Sequence, residues 1–274
     1  MPSTQTITRD TTLCISLAAR PSNLGTRFHN FLYDELGLDY LYKAFAPRDL
    51  AGAIAGIRAL GIRGCAVSMP FKEACIPLID DMDSSASAIQ SVNTIVNSDG
   101  RLRGYNTDYR AVAHLLSSHE VPPTHDFVVL GSGGMAKAVV AALRDSGFRS
   151  GHVIARNDAA GRALSEQYGF AYAPEVGALR PSLIINATPI GMAGGPSADQ
   201  LSFDADVVAG AEVVFDVVAF PAETPLISLA GEIGKETISG AEVIALQAAE
   251  QFILYTGVRP TEDQVRRAAA FSRG

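Results

Sequence analysis

The chain has 274 residues, 47 % of them hydrophobic and 19 % charged, and its 22 Lys+Arg against 29 Asp+Glu leave a formal charge of −7. That length suits one large or two medium domains, with apolar material enough for a folded core. The acidic balance and the lack of any basic run argue against nucleic acid or an anionic membrane as partner.

Short apolar runs rich in β-branched residues alternate with longer amphipathic segments, the pattern of βαβ units around a mostly parallel sheet. Residues 13–17 read as a strand, 23–36 as a helix, 40–46 as a strand, 48–60 as a helix and 64–69 as a strand. Pro70 marks a helix start. Residues 85–89 are helical. Strands at 92–97 and 102–106 flank Asn97-Ser98-Asp99-Gly100, the turn chemistry of a hairpin. A helix over 108–119 ends at Val121-Pro122-Pro123, a candidate edge between domains. Beyond it, strands are expected at 127–130, 153–155, 183–186, 213–218 and 237–239, with helices at 135–146, 225–233, 241–255 and 261–271. No run approaches the roughly 18 apolar residues of a membrane span. Cys14, Cys65 and Cys75 stand in apolar contexts without CxxC spacing, as buried thiols of a reducing compartment do. A soluble, cytoplasmic protein is the expectation. His29, His114, His119, His125 and His152 form no ligand pattern, so no metal is expected.

One motif points to a cofactor. The strand run Phe127-Val128-Val129-Leu130 leads straight into Gly131-Ser132-Gly133-Gly134-Met135-Ala136, a G-x-G-x-x-A turn that opens an Ala-rich helix. Gly131 permits the sharp turn, Gly133 lets backbone approach a pyrophosphate, and Ala136 lets the helix pack on the strand. The helix amino end adds free N–H donors and a partial positive charge for phosphates. A dinucleotide site is therefore expected there. The next strand runs into Arg156-Asn157. A guanidinium at that place suits the 2′-phosphate of NADP, while Asp158, two residues on, is placed to take the ribose hydroxyl of NAD.

Moving a hydride from an alcohol also needs a group that takes the hydroxyl proton. Ser68-Met69-Pro70-Phe71-Lys72-Glu73 stands at the carboxyl end of a strand, where ligands of open α/β sheets collect. Asn106-Thr107-Asp108 opens the next long helix, where Thr107 or Asp108 serves equally well as a cap.

These stretches occur in one order with several others. Gly64 to Glu73 is followed by Ser91-Val92-Asn93-Thr94, then Gly104-Tyr105-Asn106-Thr107-Asp108, then the glycine turn. Next come Ile185-Asn186-Ala187-Thr188-Pro189-Ile190-Gly191-Met192, Phe215-Asp216-Val217-Val218 with Thr224-Pro225-Leu226, and Gly240 with Leu246-Gln247-Ala248-Ala249. From residue 12 onward the chain resembles the shikimate dehydrogenase family, and Arg20-Pro21-Ser22-Asn23 likens it most to the shikimate dehydrogenase-like subgroup. The resemblance implies an α/β protein of two parts with a cleft between them. One is a Rossmann-type NADP domain over 109–239, the other a smaller α/β substrate-binding domain over 1–108 and 240–274. It implies interconversion of shikimate and 3-dehydroshikimate with NADP, NAD remaining possible. Lys72 and Asp108 then take the places of the catalytic Lys and Asp, and Ser68, Asn93 and Gln247 those of substrate contacts. Gly131, Ser132, Gly133, Gly134 and Met135 hold the cofactor, Arg156 its 2′-phosphate, and Val217 and Gly240 its nicotinamide side.

The chain also departs from the family pattern. The amino-terminal Ser-x-Ser that holds the substrate carboxylate reads Asn23 and Gly25. Ser22 and Asn23 are the candidates at that place, with Arg20 or Arg27 as a source of charge. A family Asn reads Ala66, the Tyr after Asp-x-x reads Ala219, and the second phosphate arginine reads Ala160, with Arg162 near. Each missing hydrogen bond costs about 0.5–1.5 kcal/mol. The expectation is thus an altered pocket with weak shikimate activity. Quinate or another cyclitol acid is an alternative substrate, and a non-catalytic NADP-binding regulatory module an alternative reading. The expected ligand is a small polyhydroxy ring carboxylate, and the expected assembly a monomer or homodimer.

Overall fold

The computed structural model describes residues 7–273; residues 1–6 and 274, assigned above to the substrate-binding part, lie outside them. The elements begin with β1 (Thr12–Leu17), α1 (Leu24–Glu35), β2 (Tyr40–Phe45), α2 (Leu50–Ala59), β3 (Gly64–Val67) and α3 (Phe71–Ala74). There follow β4 (Asp81–Met82), α4 (Ser84–Ser87), β5 (Thr94–Ser98), β6 (Arg101–Tyr105), α5 (Thr107–Ser118), β7 (Phe127–Leu130) and α6 (Gly134–Asp145). Then come β8 (Gly151–Ile154), α7 (Asp158–Tyr168), β9 (Ala171–Ala173), β10 (Leu183–Asn186) and α8 (Ala205–Gly210). The last are β11 (Val213–Asp216), α9 (Pro225–Glu232), β12 (Glu236–Ser239), α10 (Gly240–Thr256) and α11 (Glu262–Arg273). The chain divides into two compact units. Among the described residues, one joins those up to Thr107 with those from Ala245 onward; the other is the continuous stretch Asp108–Ile244. Pro122-Pro123 falls inside the second unit, so that break ends a helix without separating the units.

The first unit holds a six-stranded sheet in the order β2-β1-β3-β5-β6-β4. β1 runs parallel between β2 and β3, with Cys14 opposite both Tyr42 and Gly64. β3, β5 and β6 alternate in direction, so this sheet is mixed. The reason is local. Asp99 and Gly100, at φ 52° and 87°, form a tight turn whose twist matches a hairpin, and it sends β6 back along β5. Successive β1 side chains point to opposite faces. Cys14 joins a core with Phe28, Leu32, Tyr33, Phe252 and Tyr255, while Ile15 and Leu17 join one with Ile54, Ile57 and Val67. Each such side chain, once buried, contributes about 1.5–3 kcal/mol. α2 begins where the Asp49 carboxylate accepts the Gly52 N–H at 3.0 Å, and α4 where Asp83 accepts that of Ser85 at 3.1 Å.

The second unit holds an all-parallel sheet in the order β12-β11-β10-β7-β8-β9. β7 and β10 are neighbours, and the direction of winding reverses between them. This is the Rossmann order, whose ligands collect at the carboxyl ends beside that reversal. Phe127, Val128 and Val129 are all buried, as a strand covered on both faces requires. α9 starts at Thr224, whose hydroxyl accepts the Ile227 N–H at 3.2 Å, with Pro225 in the first helical place. β4, β9 and α8 are too short to show a period, and the sequence pattern passes over them. α7 has its boundaries written in Asn157, a side-chain cap, and Gly169, left-handed at φ 77°. No helix among the described residues is long and apolar enough to cross a membrane.

Candidate active site

In the first unit the polar residues gather past the carboxyl ends of β1 and β3. Ser68 follows β3 directly; its N–H donates to the Leu17 carbonyl and its own carbonyl accepts from Phe71, both at 2.9 Å. That bond shapes the turn leading to α3, which carries Lys72 in a half-buried position. The Lys72 carbonyl accepts the Val92 N–H at 2.9 Å, which ties the lysine's turn to the segment carrying Asn93.

Asn93 is buried, and its Oδ1 accepts from three donors. These are the Thr107 N–H at 2.8 Å, the Thr94 hydroxyl at 2.8 Å and the Thr107 hydroxyl at 3.2 Å. Since an N–H can only donate, the amide is held with its oxygen inward, and Nδ2 is the end left as a donor. The Thr107 hydroxyl also lies 3.2 Å from Gln247 Oε1. One turn further along α10, Gln251 Nε2 donates to the Thr94 hydroxyl at 3.0 Å. Asn106 is pinned beneath, with its N–H on Ser85 Oγ at 3.1 Å and Nδ2 on the Ser91 carbonyl at 3.0 Å. Asn93 and Gln247 are therefore joined through Thr107. In the sequence alone Thr107 reads only as a cap, and Gln251 carries no signal. The available signal was the pair of Asn-Thr steps, Asn93-Thr94 and Asn106-Thr107, that this network uses.

Asp108 comes next in the chain after Thr107, buried in the first turn of α5. Asn23 and Ser22 are exposed at the start of α1, where the Asn23 side chain makes no capping bond and its carbonyl accepts the Arg27 N–H at 2.8 Å. Arg27 does not supply charge beside them. Its guanidinium lies 4.9 Å from the centre of the Phe271 ring, because a helical side chain one turn on from Asn23 meets α11 here.

In the second unit the glycine turn stands at the carboxyl end of β7. Gly131 has φ 128°, and a Cβ there would come within 2.8 Å of the Ala187 carbonyl oxygen, so no other residue fits. Around Gly133 and Gly134, apart from their chain neighbours and the helix's own backbone, nothing lies within 4 Å of where a Cβ would stand. The first-turn N–H groups of α6, which have no partner within the helix, thus face room for a pyrophosphate. Ala136 is fully buried against the sheet. These residues fit a dinucleotide.

Two buried side chains brace the neighbouring loops. Asn186, at the end of β10, donates from Nδ2 to Asp216 Oδ1 at 2.9 Å and to the Ile190 carbonyl at 3.0 Å, while its Oδ1 accepts the Thr188 hydroxyl at 2.6 Å. Asp216, at the end of β11, also accepts the Val218 N–H at 3.0 Å and the Thr224 hydroxyl at 2.7 Å. Burial pushes the Asp216 carboxyl up to about 6, against the downward pull of these three donors. The loop so held carries Val217. Gly240 packs directly on it: a Cβ at Gly240 would overlap the backbone of Val217 and Val218. Those two expected nicotinamide-side residues are in contact. Arg156 is exposed past the end of β8, and Asn157 caps α7 by accepting the Ala160 N–H at 3.1 Å.

The model of the shikimate dehydrogenase substrate binding domain matches residues 22–95. A shikimate dehydrogenase-like protein of Haemophilus influenzae is 53 % identical over 267 residues, 97 % of this chain and 98 % of that protein. The chain belongs to the shikimate dehydrogenase family. Among solved structures of the family, a shikimate 5-dehydrogenase-like protein is 53 % identical and matches with a TM-score of 0.96 over 98 % of this chain and 100 % of that one. The shikimate 5-dehydrogenase of Thermus thermophilus, in complex with NADP(H) and shikimate, is 28 % identical and matches with a TM-score of 0.85 over 95 % of this chain and 99 % of that one. In this family member the strand order of the second sheet and the room at the glycine turn are those of a nucleotide-binding unit, and the Asn93–Thr107–Gln247 network belongs to the other unit.

Proposed function

We propose that this member of the shikimate dehydrogenase family is an NADP-dependent oxidoreductase that interconverts a ring hydroxyl and a ketone on a small polyhydroxy carboxylate. Shikimate and 3-dehydroshikimate are the reference pair. The observation that carries this reading is the Asn93–Thr107–Gln247 junction, immediately followed by Asp108. A carboxamide locked with its oxygen inward presents a directional donor, suited to a ring hydroxyl. Such donors reject an analogue that lacks the hydroxyl more strongly than apolar contacts do.

Gly131 to Met135 would hold NADP and Arg156 its 2′-phosphate, and the cofactor would supply the acceptor for the hydride. Lys72 takes the hydroxyl proton as the ketone forms and returns it in the reverse direction, and Asp108 orients the hydroxyl. Asn93 and Gln247 hold the remaining hydroxyls, and Ser68 lines the same end of β3. Asn23 and Gly25 stand where the family has two serines for the carboxylate, so shikimate is held less well and quinate or a related cyclitol acid competes as substrate. Ser22 and Asn23 are the groups this chain offers in their place. The test is NADPH formation by the purified protein over shikimate, quinate and aminoshikimate. Turnover of at least one supports the reading. NADP binding with no reduction by any of them contradicts it and favours a nucleotide-binding regulatory module.

A further inference from the structure

Past the end of β8, beside Arg156, lie Asp158, Arg162 and Tyr172, which the reaction described above does not use. The place of the family's second phosphate arginine is taken by Ala160, which leaves Arg156 without that partner. Arg162, in the second turn of α7, does not extend outward from its helix. Its Nε donates to Asp158 Oδ2 at 2.9 Å, and its guanidinium carbon lies 4.7 Å from the centre of the Tyr172 ring. Tyr172 is itself fixed, since its hydroxyl donates to the carbonyl of Ala155 at 3.1 Å. Ala155 is the residue just before Arg156. The Arg162 head is thus drawn back to the amino end of α7, where the cation, the helix dipole and Arg156 all favour an anion. Only Nε is engaged by Asp158, so both Nη groups of the guanidinium fork remain to meet phosphate oxygens.

We propose that Arg162 is the second cation for the 2′-phosphate of NADP, brought from the second turn of α7 and held ready by Asp158 and Tyr172. Asp158 in turn limits the preference for NADP over NAD. This rests on the reading that Arg156 marks the phosphate end of the cofactor. A phosphate dianion competes with the Asp158 carboxylate for the same guanidinium, and that carboxylate repels it. A plain ribose hydroxyl meets neither effect. Arg162 and Asp158 are both more than half exposed, so water and salt moderate their interaction.

The experiment is equilibrium titration of NADPH and of NADH into wild type, R162A, D158N and R156A, with NADH as the internal reference for an intact site. R162A is expected to weaken NADPH about tenfold relative to NADH. D158N is expected to tighten NADPH about threefold relative to NADH. An R162A protein with the wild-type ratio of NADPH to NADH affinity overturns the proposal, as does one that loses both nucleotides equally. If R156A shifts the ratio and R162A does not, this proposal alone falls. If neither shifts it, the assignment of this end of the site to the phosphate falls too. Wild-type protein that binds neither nucleotide overturns both.

Discussion

Single residues carry the chemistry, and several of them are ordinary when read alone. Lys72 after a proline and Asp108 at a helix start have common structural explanations, and only their order among other motifs separates them from a solvated lysine and a cap. Thr107 shows what spacing does not reveal. Its hydroxyl lies 3.2 Å from both Asn93 Oδ1 and Gln247 Oε1, residues 14 and 140 positions away in the chain. The role is therefore set by folding and not by neighbours in sequence. Replacing Thr107 with Val keeps the branched shape and removes the hydroxyl. T107V is expected to raise KM for the ring acid about three- to tenfold, the worth of one hydrogen bond, with NADPH affinity unchanged. Steady-state kinetics beside an NADPH titration checks this. An unchanged KM would detach Thr107 from the substrate site.

At the level of elements, α1 buries a titratable group among aromatic rings. His29 is fully buried, its ring stacked 4.4 Å from that of Tyr42, and neither ring nitrogen has a hydrogen-bond partner. Burial is the larger influence and pulls its pKa down to about 3, against an upward pull from the Gln251 side chain. The folded value lies below the ordinary ~6.5 of the unfolded chain. The neutral ring's contribution is thus complete above pH 6.5 and is lost as pH falls towards 3. At pH 5 the loss is about 2 kcal/mol. H29F removes a titrating group without removing a hydrogen bond. Its stability is expected within about 1 kcal/mol of wild type at pH 7. Urea unfolding at pH 7 and pH 5 should show a smaller fall for H29F than for wild type; equal falls would mean the buried imidazole is not the acid-sensitive group. The sequence pattern did place α1 as an amphipathic helix with His29 on it. It offered no hint that the imidazole lies among aromatic rings, because α10 packs there from the far end of the chain.

At the scale of the whole molecule, the second unit was the more legible. Its strands are unbroken apolar runs, its glycine turn has a steric cause at Gly131, and parallel order follows from helices between strands. The mixed first sheet was legible in part: the Asn97–Gly100 turn marks the hairpin of β5 and β6, whereas β4, with two residues, is too short to leave a pattern. The bracing of Asn186 on Asp216 was also hidden, because their contact spans 30 positions. The second unit is one continuous stretch with a complete sheet. A fragment of residues 108–244 is accordingly expected to fold alone and to bind NADPH within about tenfold of the intact protein. Circular dichroism and an NADPH titration would show it, and an unfolded fragment would mean the unit depends on the rest of the chain.

Proton transfer by Lys72 and Asp108 decides whether this chain oxidises a ring hydroxyl. With the ring acid that wild type oxidises fastest, initial rates of NADPH formation should be compared for wild type, K72A and D108A, alongside NADPH affinity. The rate is expected to fall about 10²–10⁴-fold in each variant, with NADPH binding unchanged. Wild-type rates in K72A would contradict it.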